Sequence, residues 1–128
     1  MNGLHILAEL HDCRCATELL HSPDRLQALC RQACAVGGLT IVGEAFHGFG
    51  TPERPAGATG ALVLAESHLA IHTWPELGRS GVVTLDLYVC NFSRDNSFAA
   101  EQTFDRLVNA FHPDHVERRD VLRGTPRR

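Results

Sequence analysis

The stretch LVLAESHLAIHTWPE, residues 62–76, sets Glu66, Ser67, His68 and His72 into an otherwise apolar, strand-like run. A carboxylate, a hydroxyl and two imidazoles this close can move protons or make a nucleophile. As metal ligands the two histidines fit poorly, because four strand residues set them about 13 Å apart. Cys13-x-Cys15, Cys30-x3-Cys34 and His112-x2-His115 lack a clean structural-zinc spacing, so no metal is expected. As a hydrolase nucleophile, Ser67 lacks the G-x-S-x-G turn that lifts a hydroxyl above a sheet. Cys90 with His72 could form a thiol–imidazole pair.

A third chemistry consumes the chain itself. If the Ser67 hydroxyl attacks the Glu66 carbonyl, the amide becomes an ester. Elimination and hydrolysis then leave a pyruvoyl group at a new N-terminus. This needs a strained Glu–Ser peptide, an acid/base histidine and a donor for the oxyanion. His72 lies five residues on, and Thr59 offers a hydroxyl upstream.

These residues must be positioned by regular elements, and the sequence shows where they run. Leu4–Leu10 alternates, with Leu4, Ile6, Ala8 and Leu10 on one face. Ser22-Pro23 is a helix start, and the stripe Leu26, Leu29, Cys30, Ala33, Cys34 runs on to the stop Gly37-Gly38. Leu39–Phe46 is a second strand, followed by the turn-rich loop GFGTPERPAGATG. Gly60–Ala65, His68–Trp74 and Val82–Cys90 are three more strands. Asn96 or Ser97 can cap a helix carrying Phe104, Leu107, Val108 and Phe111, and a weak strand spans His115–Leu122. The order β-α-β-β-β-β-α-β predicts an α+β fold: a two-layer α/β sandwich, mostly antiparallel sheet with two helices on one face. If Leu69, Ile71, Val83, Leu85, Leu87 and Val89 meet the helices, then Glu9, His68, His72, Asp86 and Cys90 share the opposite face. With Leu7, Trp74 and Tyr88 mixed in, that face reads as a site, an interface, or both.

At 128 residues the chain is one domain, 1–128. A net charge of −3 gives no general attraction to nucleic acid, and runs such as ALVLA are too short to span a membrane. MNGLHILAELHDC lacks the basic start of a signal peptide, and five cysteines without framework spacing fit a reducing, cytoplasmic setting. The Arg-rich end ERRDVLRGTPRR reads as a solvated terminus.

The motif ESHLAIHTWPE, with HILAELHDC, IVGEAFHGF and VTLDLYVCN in order from Gly3 to Arg123, resembles the bacterial and archaeal S-adenosylmethionine decarboxylase proenzymes. The resemblance implies cleavage between Glu66 and Ser67 into chains 1–66 and 67–128. Ser67 would become the pyruvoyl cofactor, which binds substrate as a Schiff base and acts as electron sink. His72 would drive the elimination and Cys90 would protonate the substrate carbon after CO2 leaves. Phe49 would stack on adenine, Glu76 would bind ribose, and Glu9 would lie near the substrate. Thr59 stands where relatives commonly have Ser, and His68 has no assigned role. The family's reaction decarboxylates S-adenosylmethionine for polyamine synthesis, in homodimers whose chains both border each site. Strict alternation puts Ser67 on the helix side, so this reading requires a turn or bulge at Glu66-Ser67. Two alternatives stand beside it: a pyruvoyl decarboxylase of arginine or ornithine, and an unprocessed, non-catalytic homologue.

Overall fold

The computed structural model describes residues 2–124. Six strands form one antiparallel sheet in the order β2-β3-β4-β5-β1-β6. In chain order these are β1 (Asn2–Cys13), helix α1 (Thr17–His21), α2 (Pro23–Gly37), β2 (Thr40–Gly48), β3 (Ala58–Ala65), β4 (Ser67–Trp74), β5 (Val82–Cys90), α3 (Ser97–Phe111) and β6 (Pro113–Gly124). Strands β2 to β5 form a meander, and β1 returns between β5 and β6.

The α+β sandwich expected from the sequence is present, with one addition and one correction. The short helix α1, carrying the buried Leu20, precedes the two long helices. The Arg-rich stretch after Glu117 is not a loose terminus as far as Gly124: it is the edge strand β6. Arg118 there pairs with both oxygens of Glu101, at 2.9 and 2.5 Å, and with Asp120 at 2.7 Å. The Arg123 guanidinium lies 4.3 Å over the Tyr88 ring. Residues 125–128 of that stretch lie outside the described part.

The helices form for the reasons the sequence suggests. Ser22 Oγ accepts from the Arg25 N–H at 3.2 Å, and Pro23 occupies the first helical turn of α2. Gly38 closes α2 at φ 95°, a left-handed conformation that suits glycine. Leu26, Cys30, Ala33 and Cys34 of α2 and Ala100, Phe104, Leu107 and Phe111 of α3 are buried against the sheet. They meet the inward rows of the strands: Ile6, Leu10, Leu62, Leu69, Ile71, Val83, Leu87 and Val89. Each such side chain contributes about 1.5–3 kcal/mol by leaving water. Burial raises the Cys34 thiol to about 12 and Cys30 further still, as inert core residues.

With one face sealed, alternation forces the other residues of each strand outward. Rows then run straight across the sheet. One row reads His47, Thr59, His72, Thr84, Glu9, Glu117. The row two residues further along each strand from His72 toward Ser67 passes through Ala61, Ala70, Asp86 and Leu7, and the next through Val63, His68, Tyr88 and His5.

Candidate active site

Glu66 and Ser67 stand at a tight hairpin. Leu64 pairs with Ser67, so Ala65 and Glu66 alone make the turn from β3 to β4; the Ala65–Glu66 peptide is cis. Ser67 sits at φ 110°, outside the regions that L side chains ordinarily occupy, a conformation that costs on the order of 1–3 kcal/mol. The required turn is therefore present, at residues 65–66. Ser67 pairs with Leu64 and Val89, both buried, so the register does place it in an inward row. It is half-buried, at the extreme end of the sheet.

Both ends of Glu66 are held by the chain just after β5. Its carbonyl oxygen accepts from the Cys90 N–H at 3.3 Å. Its carboxylate accepts from the Phe92 N–H at 3.0 Å, the Ser93 N–H at 3.2 Å and the Ser93 hydroxyl. These donors, the Ser93 hydroxyl foremost, hold the Glu66 carboxyl below the usual carboxylate range. The turn that carries them is braced in its own right. Asn96, buried, donates from Nδ2 to the Cys90 carbonyl at 3.0 Å and from its N–H to Asn91 Oδ1 at 2.8 Å. Arg94 donates to Asn96 Oδ1 and to the Gly38 carbonyl, each at 2.8 Å. Asn96 is thus the N-cap of α3 by position only; its side chain serves Cys90 instead.

Cys90 is half-buried and lies beside Gly3 of β1. A Cβ on Gly3 would sit 2.8 Å from the Tyr88 ring and 2.6 Å from the Val89 carbonyl oxygen, so only glycine lets Tyr88 lie there. His5 Nε2 is 3.1 Å from Asp86 Oδ1, and the rings of His5 and His68 flank Tyr88 at 5.5 and 5.8 Å. His68 therefore belongs to an aromatic cluster on the outer face.

The remaining expected residues gather elsewhere. His72 Nδ1 lies 2.5 Å from Thr59 Oγ1, its cross-strand partner, so the threonine hydroxyl reaches the imidazole despite its extra methyl. His72 points outward while Ser67 is in an inward row, and five residues of strand set them about 16 Å apart. Phe49 is 65% exposed, its ring 5.0 Å from that of His47. Glu76 is exposed on the turn after β4. That turn is pinned by Asp12, whose Oδ1 accepts from the Arg79 N–H at 2.7 Å. Glu9 extends the His72 row across β5, 3.4 Å from His11 Nε2, between shallow hollows of about 350 and 470 Å³. One chain thus brings Glu66, Ser67 and Cys90 together at one end of the sheet. It gathers Phe49, Thr59, His72 and Glu76 at the other, and does not join the two sets.

Sequence reasoning missed Phe92 and Ser93, which hold Glu66, and read Asn96 only as a helix cap, whereas its side chain holds the Cys90 carbonyl. Their one signal was the polar run NFSRDNS directly after Cys90.

Comparison with known proteins places the chain in a family. The family model for S-adenosylmethionine decarboxylase matches residues 4–124. An S-adenosylmethionine decarboxylase proenzyme of Picrophilus torridus is 38% identical over 125 residues, covering 96% of this chain and 85% of its own. One from Fervidobacterium nodosum is 43% identical over 122 residues, covering 95% of this chain and 80% of its own. The crystal structure of the adenosylmethionine decarboxylase from Aquifex aeolicus superposes with a TM-score of 0.80 at 28% identity, covering 98% and 92% of the two chains. The family match and these relatives define the class: decarboxylase proenzymes. The chain belongs to the S-adenosylmethionine decarboxylase family.

Proposed function

We propose that this chain is a proenzyme that cuts itself between Glu66 and Ser67 and then decarboxylates S-adenosylmethionine, supplying decarboxylated product for polyamine synthesis. The observation that carries the reading is the Glu66 carbonyl held on the Cys90 N–H at the hairpin occupied by Ser67. Attack by the Ser67 hydroxyl turns that oxygen into an oxyanion, and the Cys90 N–H is the donor aimed at it. Loss of the Ser67 amide bond relieves a residue held at φ 110°. A base then takes the Ser67 α-proton, the main-chain carboxylate of Glu66 departs as a new C-terminus, and addition of water with loss of ammonia leaves a pyruvoyl group on residue 67. That ketone supplies an electron sink for the carbanion formed as CO2 leaves the substrate. Cys90 stands beside residue 67 as the proton donor to that carbon.

His72 is the base, and it comes from a second copy. Val63 and Trp74, 52% and 41% exposed, leave apolar surface on the outer face among the polar rows. Two such faces stacked about a two-fold axis, about 10 Å apart, set one end of each sheet against the other end of its partner. Each Ser67–Cys90 end then meets the partner's Thr59, His72, Phe49 and Glu76. Thr59 fixes the imidazole, Phe49 offers its face to the adenine and the cationic sulfonium, and Glu76 accepts from the ribose hydroxyls. Glu9, in the His72 row, supplies negative charge near the sulfonium. No helix of the described residues is long and apolar enough to cross a membrane. All five cysteines are free thiols, which suits a reducing cytoplasm.

Reductive trapping tests the substrate. S-adenosylmethionine, arginine and ornithine are each offered with a mild reductant, and the chain 67–128 is weighed. The reading expects an adduct with S-adenosylmethionine alone; an adduct with arginine or ornithine alone overturns it.

A further inference from the structure

The hydrogen bonds around Glu66 divide into two groups with separate consequences. One, from the Cys90 N–H, reaches the carbonyl that is attacked. The others end on the carboxylate, which takes no part in the bond being broken. Three donors from the Phe92 and Ser93 backbone and the Ser93 hydroxyl converge on it. A two-residue hairpin closed by one register pair has little of its own to fix the direction of its peptide planes. Here the side chain is anchored 27 residues away, on a turn fixed in turn by Asn96, Asn91 and Arg94.

We infer that Ser93 is a positioning residue for self-cleavage: with the Phe92 and Ser93 N–H groups it clamps the Glu66 carboxylate, and so aims the Glu66 carbonyl at the Cys90 N–H. This rests on the reading of Glu66–Ser67 as the cleaved bond and adds a residue to it. Ser93 touches neither the attacking hydroxyl nor the breaking bond; it acts through the Glu66 side chain. The clamp also outlasts the cut. The carboxylate is on the 1–66 side of the bond and its donors are on the 67–128 side. The new end at Glu66 therefore stays tied to the turn after β5, and the two chains remain joined at the mouth of the site.

The test follows cleavage of freshly purified full-length chain by denaturing mass spectrometry, alongside thermal unfolding. Ser93→Ala is expected to slow cleavage about three- to tenfold, the worth of one hydrogen bond in the attack geometry, with the unfolding temperature unchanged. Ser93→Thr, which keeps the hydroxyl, should restore the rate to within about twofold of the natural chain. Glu66→Gln turns an NH2 group toward the clamp's donors and should be at least as slow as Ser93→Ala. Adding Ser93→Ala to it should then cost little more. Cleavage of Ser93→Ala at the natural rate overturns the clamp while leaving the processing reading intact. So does equal slowing by Ser93→Ala and Ser93→Thr together with a lower unfolding temperature, because the serine would then serve only the scaffold. A natural chain that stays whole overturns the clamp and the processing reading together.

Discussion

The two ends of the sheet are built in opposite ways. At the Ser67 end, the carbonyl, the carboxylate and the neighbouring Cys90 carbonyl of one chain all have partners, and the turn from Asn91 to Ser97 is cross-braced. At the His72 end, Thr59 and His72 hold each other, while Phe49 and Glu76 stand open on loops. The first end is braced by its own chain; the second presents Phe49 and Glu76 outward. In the proposed mechanism, the difference means that one chain holds the Glu66–Ser67 bond in place by itself but only offers the groups that would assist its cleavage.

Replacing Cys90 separates scission from turnover most sharply. In the proposed mechanism its role in scission falls to a backbone N–H, which Cys90→Ala keeps, and its role in turnover to the thiol. Cys90→Ala should therefore cleave at close to the natural rate, yet lose about 10²- to 10⁴-fold in kcat, the usual worth of a positioned proton donor. Cleavage and decarboxylation assays on one preparation measure both. Loss of cleavage alongside turnover would mean that the thiol, and not the backbone, serves the first step.

A smaller effect probes the anchoring of the opposite end. Asp12 pins the turn carrying Glu76, and the backbone N–H of Arg79 holds its carboxyl below the usual carboxylate range. A carboxyl lowered on folding stabilises the native state above its unfolded value and loses that contribution as pH falls through its folded value. Asp12→Asn should unfold slightly earlier than the natural chain near neutrality, by no more than about 2 °C. The gap should close below about pH 3.8. A gap independent of pH would show that the turn is held without this charge.

Much of this was legible in the sequence, and the exceptions have physical causes. The alternation of Leu85, Leu87 and Val89 against Asp86, Tyr88 and Cys90 has period two, so the outer face was readable before any coordinates. The hairpin at 65–66 was readable as a conflict, since alternation put Ser67 on the side away from its expected helpers. The clamp by Ser93 was not, because a contact spanning 27 residues between two turns leaves no periodic trace. Strand β6 was hard to see because an edge strand with few buried residues can carry Arg and Asp on both faces. The distance from Ser67 to His72 was the least intuitive. Five residues are near in sequence, but along a strand they span about 16 Å, and an odd spacing changes the face.

The claim that each site is completed by a second copy has a direct measurement. Chains carrying Ser67→Ala and chains carrying His72→Ala, distinguished by mass, are purified separately and also co-expressed, and every chain is weighed under denaturing conditions. Each variant alone should stay whole, because one lacks the nucleophile and the other the base. Co-expressed, the His72→Ala chain should be cut after Glu66, its own Ser67 served by the partner's His72, while the Ser67→Ala chain stays whole. If the His72→Ala chain stays uncut in co-purified mixed dimers, or cuts when alone, then each site is not completed by a partner's histidine.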